Sequence, residues 1–461
     1  MMELSLQQVA DFCGGGLLQG EGSSLCRKVS TDSRKTGPGD LFVALAGERF
    51  DAHDFLSQVA ASGVAAMLVS RVPDDLGEGD WKGGLIKVAD TLVGLQSLAK
   101  AYRRLLDPLV IGVTGSNGKT STKDLLSTLL GCKYRTAATL GNLNNHIGVP
   151  LTLLAMEPGT EAVVVEMGMN HFGEIEVLAN IAAPDVAVIT NIGIAHIEYM
   201  GSREGIAKEK GMLVEAISPG GMVILNANDD MTPSLRARSK AQVLTAGVGT
   251  GDVKATLLGT DAKGARFLLD FAGQETVEVA LPVVGAHMVG NAALAAACAW
   301  HQGVSPTQIA EALGSVKLSK GRLQVKVVEG ITFLDDSYNA NPDSMRAGLK
   351  TLAEFSSSGR RVAVLGRMGE LGVHAESAHI EIGEFAAGSG IDLLCTVGGD
   401  EAESMGLAAG KVRGDLAREH FASHGECAAY LRGWLKSDDV VLLKGSRAAG
   451  MEQVLSIFET S

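Results

Sequence analysis

The chain has 461 residues, 46% of them hydrophobic and 20% charged, enough for about three domains each with its own core. Its net charge of −13 and pI near 5.3, without a long basic run, exclude a nucleic-acid partner, so an anionic ligand must meet a local concentration of Lys and Arg. Six scattered cysteines form no C-x-x-C pair, residues 1–16 lack the pattern of a secretory signal, and no apolar run approaches the roughly 18 residues of a membrane span, so a cytoplasmic protein is expected.

From the N-terminus, residues 41–45 and Ala66–Val69 read as strands, with a helix around residues 55–62. Residues 73–84, rich in Asp and Gly, read as an exposed loop. Leu92, Leu95, Leu98, Tyr102 and Leu105 recur at helical spacing, predicting a connecting helix over residues 91–106. Residues 1–88 are therefore expected to form a small α/β domain.

Next comes an apolar run from Val110 that breaks into Thr114-Gly115-Ser116-Asn117-Gly118-Lys119-Thr120-Ser121 and then a helical pattern through Leu125, Leu126, Leu129 and Leu130. Strand, Gly-rich loop and helix in that order cradle phosphate. Backbone N–H groups converge on the oxygens, and the helix N-terminus adds partial positive charge. Lys119 can supply a point charge to the β- and γ-phosphates, and the Thr120 hydroxyl can reach Mg²⁺. Val113 stands where the strict Gly-x-x-x-x-Gly-Lys-Thr pattern has Gly, so the loop is a variant.

Residues 163–165, 186–189 and 222–225 are short apolar runs suited to inner strands of a parallel sheet covered on both faces. Residues 254–279 read as a β-hairpin excursion turning at 261–264, and a helix over 291–301 closes a central domain spanning 89–318. A second α/β series over 319–461, with strands at 331–334, 361–365, 393–397 and 440–443, is expected to form a Rossmann-like C-terminal domain.

Ligands of open α/β sheets gather at the carboxyl ends of the strands. Glu166 follows one central strand, and Asn191 and His196 follow the next. The carboxylate is placed to hold Mg²⁺ beside a nucleotide, whereas His196 alone reads equally well as a structural hydrogen bond. Lys208 and Lys210, taken alone, read as a solvated helix face, and His374 and His379, five apart, as non-catalytic.

Together these blocks resemble the Mur ligase family. The resemblance rests on the phosphate loop, Glu166-Met-Gly-Met-Asn-His171, Asn191-Ile-Gly-Ile-Ala-His196 with Lys210, Gly285-Ala-His-Met-Val-Gly-Asn291, Gly321-Arg322-Leu323 and Asp335-Asp-Ser-Tyr-Asn-Ala-Asn-Pro342. Within the family, the last block, Leu143-Asn-Asn-His-Ile-Gly-Val-Pro150, Lys444-Gly-Ser-Arg447 and the Asp32-Ser-Arg34 segment resemble ligases that add D-alanyl-D-alanine to UDP-N-acetylmuramoyl-tripeptide.

The resemblance implies that ATP sits on residues 114–121, with Lys119 on the β/γ-phosphates and Thr120 and Glu166 on a first Mg²⁺. Glu166, His196 and a carbamylated Lys210 would hold a second. Asn291 would meet adenine, Arg322 the phosphates and Asp336 the ribose. Ser30, Ser33 and Arg34 would lie near the uridine nucleotide, Asn144, Asn145 and His171 near the sugar–peptide part, and Arg447 near the dipeptide. A monomer is expected. Met288, Arg367 and Met212 depart from residues common in the family. Another family ligase adding a different amino acid, or a folylpolyglutamate synthase, remains an alternative, although the Asp-Asn-Pro-Arg signature of the diaminopimelate-adding members is absent. A nucleotide-gated binding module without catalysis would have lost Lys119, Glu166, His196 or Lys210, and all four are present.

Overall fold

Three mixed sheets dominate the computed structural model, which describes residues 3–47, 50–72, 81–261 and 263–460. Residues 73–80 of the expected Asp- and Gly-rich loop lie outside the described residues, as does residue 262 of the expected hairpin turn. The N-terminal sheet has five strands in the order Gly16–Gln19, Gly84–Lys87, Ala66–Val69, Asp40–Val43 and Lys28–Ser30, parallel except at the first pair. The helix expected at 55–62 is a 3₁₀ turn, Ala52–Phe55, running into an α-helix, Leu56–Ala61.

The central sheet has nine strands. Six are parallel, ordered Gln242–Val248, Met222–Asn226, Val186–Ile189, Leu109–Thr114, Ala162–Glu166 and Thr136–Ala138. Val253–Asp261 pairs parallel with the first of these and then folds back antiparallel through Gly264–Phe271 and Glu275–Leu281. The expected hairpin is thus a three-stranded meander whose last strand follows a second turn.

Nearly unbroken apolar runs make the four inner parallel strands buried on both faces, and the two-residue period sends alternate side chains into different cores. Ile111, Val113, Val164 and Val188 join an apolar cluster that continues through Leu334, Met345 and Leu365 of the C-terminal part. Val110, Val163, Val165 and Ala187 join one that continues through Leu41, Val43, Leu68 and Ile86 of the N-terminal sheet. The central sheet is the shared wall of both.

The helix predicted over 291–301 starts earlier and covers Ala286–His301. Its alanines at 292, 293, 295, 296, 297 and 299 are all buried. Small side chains on every side let the helix lie close to both the sheet and the phosphate-loop helix Lys119–Leu130. Gly290 and the motif-like run around it hid that early start.

The C-terminal sheet runs Gln324–Val328, Ile331–Asp336, Val440–Lys444, Arg361–Gly366, Leu393–Val397 and Ala417–Phe421, parallel except for its opening hairpin.

The connecting helix Thr91–Leu106 falls where the Leu and Tyr spacing puts it. Asp90 caps it by accepting from the N–H groups of Leu92 (2.7 Å) and Val93 (3.0 Å). Arg103 donates to the carbonyls of Ala182 and Ala183, tying down the end of the helix Glu174–Ala182. The buried Tyr102 hydroxyl donates to the Met156 carbonyl at 2.9 Å. Tyr102→Phe is expected to lower stability by about 1–2 kcal/mol by leaving a buried carbonyl unpaired. A shift of the urea midpoint with unchanged slope would show it, and an unchanged midpoint would contradict it.

Candidate active site

The phosphate loop leaves the strand Leu109–Thr114 and enters its helix at Lys119. Its shape is set by the adjacent strand end. Asn191 accepts from the Asn117 N–H at 2.9 Å and donates back to the Asn117 carbonyl at 3.0 Å, where the Thr190 hydroxyl also donates at 2.5 Å. Gly118 has φ +78, and a Cβ there would lie 2.7 Å from the Asn291 side-chain oxygen, so glycine is required on both counts. The first-turn N–H groups of Lys119–Leu130, which no carbonyl of that helix can satisfy, open toward the cleft. Lys119 folds back on the loop, its Nζ donating to the Gly115 carbonyl at 2.7 Å. Desolvation pulls its pKa down, Glu166 pulls it up, and Arg322 adds to the depression. An ammonium held this way gains most from an anionic ligand.

Beside the loop lies an acid–amine pocket. The register pairs Glu166 with Val113, putting the carboxylate at the mouth of the loop. Glu166 is 2% exposed; one oxygen accepts from Asn144 at 2.8 Å and the other is buried without a partner. Lys210 is fully buried and its Nζ also has no partner. Lys208, on the same helix Arg203–Glu215, is exposed, so the two lysines part company and the solvated-face reading fails for Lys210. Between them, Glu209 accepts from the N–H groups of Gly173 and Ile175, both at 2.8 Å. His196, with φ +63, puts Nδ1 2.9 Å from the Glu370 carboxylate. His379 is wholly buried, accepting from the Met368 N–H at 2.9 Å, a structural role.

The C-terminal sheet faces this pocket with its strand ends. Arg322 donates to the Thr120 hydroxyl at 3.2 Å and stacks 4.1 Å over the Tyr338 ring. Asn341 donates to the Asn117 side chain at 2.8 Å, and Asp343 accepts from the Ile194 N–H at 3.0 Å. Asp336 and Lys444 are register partners on neighbouring strands and pair at 2.5 Å.

The result is a cleft of about 1010 Å³. It gathers residues 116–121, Asn144, Asn145, Glu166, His196, Asn291, Arg322, Asp336 and Arg447. Thr114 and Gly115 end the strand beneath, and Thr114 donates to the Met167 carbonyl. Ser30, Ser33, Arg34, His171 and Lys210 are not in its wall. Arg34 is engaged with Asp32 through a two-pronged contact, Ser30 turns back to the Asp32 carbonyl, and His171 lies 4.9 Å from the Tyr199 ring. Asp343 and Glu370 escaped the sequence reading, and Lys444 and Asn341 entered it only inside motif blocks, without a role. All four sit at or just beyond C-terminal ends of parallel strands, the one signal that could have found them.

Among the described residues no group of three or more His, Cys, Asp or Glu is arranged around a metal position.

The depressed pKa of Lys210 has a sign that can be tested. Desolvation is the main cause, the Lys119 charge adds to it, and Glu209 opposes it. As pH falls below the unfolded-chain value of about 10.4, the unfolded chain takes up a proton that the folded chain refuses. This contribution to stability is thus fully present above that value and is lost as pH falls toward the folded-state pKa. Lys210→Met is expected to melt at a higher temperature than the parent at pH 7 in buffer purged of carbon dioxide, with the gap narrowing toward about pH 10. A gap that did not change with pH would contradict this.

Three family models match the chain: Mur ligase family, catalytic domain over residues 26–103, Mur ligase middle domain over 113–299, and Mur ligase, glutamate ligase domain over 321–447. UDP-N-acetylmuramoyl-tripeptide–D-alanyl-D-alanine ligase of Escherichia coli (strain K12) is 38% identical, covering 99% of this chain and 98% of its own length. The crystal structure I of MurF from Acinetobacter baumannii superposes with TM-score 0.90 at 34% identity and full coverage of both chains. MurF ligase from Thermotoga maritima in complex with ADP has TM-score 0.82 at 29% identity, covering 94% of this chain and 97% of its own. With these matches running through the phosphate loop, the acid–amine pocket and the facing C-terminal sheet, the chain belongs to the Mur ligase family.

Proposed function

We propose that this chain joins the amine of D-alanyl-D-alanine to the free peptide carboxylate of UDP-N-acetylmuramoyl-tripeptide at the expense of ATP, in the synthesis of peptidoglycan precursors. One observation carries the reading: a phosphate loop and a buried carboxylate with a free oxygen line one cleft, and Lys119 of that loop interacts by charge with both that carboxylate and the buried free amine of Lys210. The E. coli relative, matched over 99% of this chain, is named for this ligation.

A carboxylate is a poor electrophile at neutral pH, so its oxygen must first become a leaving group. Transfer of the γ-phosphoryl group from ATP gives an acyl phosphate and ADP. The dipeptide amine then attacks the carbonyl carbon, loses its proton, and phosphate departs from the tetrahedral intermediate. Such transfers need placement and charge neutralisation more than covalent help from the protein. Lys119 and the first turn of Lys119–Leu130 hold the phosphates, and Arg322 leaves the Thr120 hydroxyl to join them.

The donor set fits Mg²⁺. The free oxygen of Glu166 and the Thr120 hydroxyl are hard oxygen ligands, and Mg²⁺ bound there would neutralise phosphate charge. Lys210 fits carbamylation. Its depressed pKa raises the share of neutral, nucleophilic amine, which can add to carbon dioxide and release a proton. The product is an anionic oxygen donor where an ammonium would repel a cation. With His196 and Glu166 it would hold a second Mg²⁺.

In this reading residues 1–88 take the uridine end through Ser30, Ser33 and Arg34, residues 89–318 take ATP, and residues 319–461 close over it. Asn291 and Asp336 face adenine and ribose, while Asn144, Asn145 and His171 guide the sugar–peptide. The working unit in this reading is a monomer in the cytoplasm, where ATP is supplied.

The test is ligation with ATP and a panel of UDP-muramoyl peptides and D-amino-acid dipeptides, with products identified by mass. D-Alanyl-D-alanine adducts of the tripeptide are expected, and adducts of free amino acids alone would refute the assignment. Lys119→Ala is expected to lose on the order of 3–4 kcal/mol of transition-state stabilisation, the scale of one preorganised charge contact. Near-normal phosphate release by that variant would contradict its role. In ¹³C-bicarbonate, a carbamate carbon resonance is expected that disappears in Lys210→Gln.

A further inference from the structure

Five carboxylates line the cleft: Glu166, Glu174, Asp336, Asp343 and Glu370. Four are committed. Glu166 belongs to the acid–amine pocket, Glu174 accepts from the Asn170 N–H at 2.6 Å, Asp336 pairs with Lys444, and Asp343 accepts from the Ile194 N–H. Glu370 is different. Its side chain is 46% exposed, and its close polar neighbour is His196 Nδ1 at 2.9 Å.

The backbone is bent to present it. Glu370 has φ +59, a conformation that side-chain-bearing residues seldom take. Its loop leaves the strand Arg361–Gly366, whose parallel partner Val440–Lys444 leads into Arg447. The two loops are clipped together by the Ser446 N–H donating to the Arg367 carbonyl at 2.8 Å. One rim of the C-terminal sheet thereby presents to the cleft an exposed carboxylate and the exposed guanidinium of Arg447, which lies 5.9 Å from the Tyr338 ring centroid and donates to the Glu452 carboxylate at 2.9 Å on its other side. A short peptide with free ends is a zwitterion, and this rim carries the complementary pair of charges.

We propose that Glu370 binds the ammonium group of the incoming dipeptide through a charge-assisted hydrogen bond, with Arg447 facing the dipeptide carboxylate, so that the amine waits beside the phosphate loop. This rests on the ligase reading above and adds the subsite for the amine substrate. Glu370 is close enough to Lys119 for the two charges to interact, which sets the amine near the reacting phosphate.

The test separates the two halves of the reaction. With ATP and UDP-N-acetylmuramoyl-tripeptide, hydroxylamine in place of the dipeptide traps the acyl phosphate as a hydroxamate, and this small neutral amine needs no ammonium anchor. Glu370→Gln is expected to raise KM for D-alanyl-D-alanine by roughly 10- to 100-fold, with hydroxamate formation and KM for ATP within about twofold of the parent. Glu370→Asp is expected to recover part of the dipeptide affinity. Hydroxamate formation falling in step with ligation would overturn the proposal, because Glu370 would then serve His196 and phosphoryl transfer. An unchanged dipeptide KM would overturn it as well. No hydroxamate from the parent enzyme would instead refute the acyl-phosphate reading beneath it.

Discussion

Two buried groups without partners govern the centre of this molecule: the Lys210 amine and one oxygen of Glu166. Removing an ammonium or a carboxylate from water costs several kcal/mol even after relaxation, and an unpaired one recovers none of it. Burial shifts Lys210 toward its neutral form, the Lys119 charge adds to that shift, and Glu209, which opposes it, is already occupied in capping. Only a rigid surround can hold such a pair open. The central sheet, with an apolar core on each face, is that surround. In a chain of net charge −13, this corner is short of negative charge until a phosphate or a carbamate arrives.

The same sheet explains which features were legible in the sequence. Parallel strands buried on both faces must be continuous apolar runs, so residues 163–165, 186–189 and 222–225 declared themselves, and polar groups just after them had to lie on one rim. Glu166 and His196 were found that way. Strands with mixed faces were silent. Gln242–Val248, Gln324–Val328 and Ala417–Phe421 carry few fully buried side chains, and no apolar run marks them. Lys210 could not be separated from Lys208 by any local pattern, because two residues on one helix turn differ only in what the rest of the fold stacks over them. Glu370 was hidden for a related reason. Its importance depends on a second sheet facing the first, and that is a tertiary fact.

The residues that depart from the family pattern have local partners. Met288 is buried and its sulfur takes a weak contact from Asn291 Nδ2 at 3.7 Å, so the helix face toward the phosphate loop stays filled. Met212 sits under the Arg238 guanidinium, which also caps the carbonyls of Ala207 and Lys208. Arg367 turns outward to Glu401, and only its backbone carbonyl serves the rim, through Ser446. In each case the side chain has been absorbed by packing or by an exposed ion pair. None displaces a group that faces phosphate.

The bonds that join the C-terminal sheet to the phosphate loop are few: Asn341 to Asn117, Arg322 to Thr120, Asp343 to the Ile194 N–H, and the Ser319 N–H to Asp124 at 2.8 Å. At about 0.5–1.5 kcal/mol each they sum to a few kcal/mol. A ligand present at about a hundred times its dissociation constant contributes about 2.7 kcal/mol, so the two are of comparable size. The identities of the bonds matter more than their sum. Arg322 occupies the hydroxyl that a bound nucleotide's metal would want, and Lys119 occupies a loop carbonyl where phosphate would otherwise draw it. On the ligase reading, binding would exchange these two contacts for charge-assisted ones. The facing sheet is thus held by an apolar core shared with the central sheet and by a few polar bonds, and the polar bonds of Arg322 and Lys119 are the ones a phosphate would compete for.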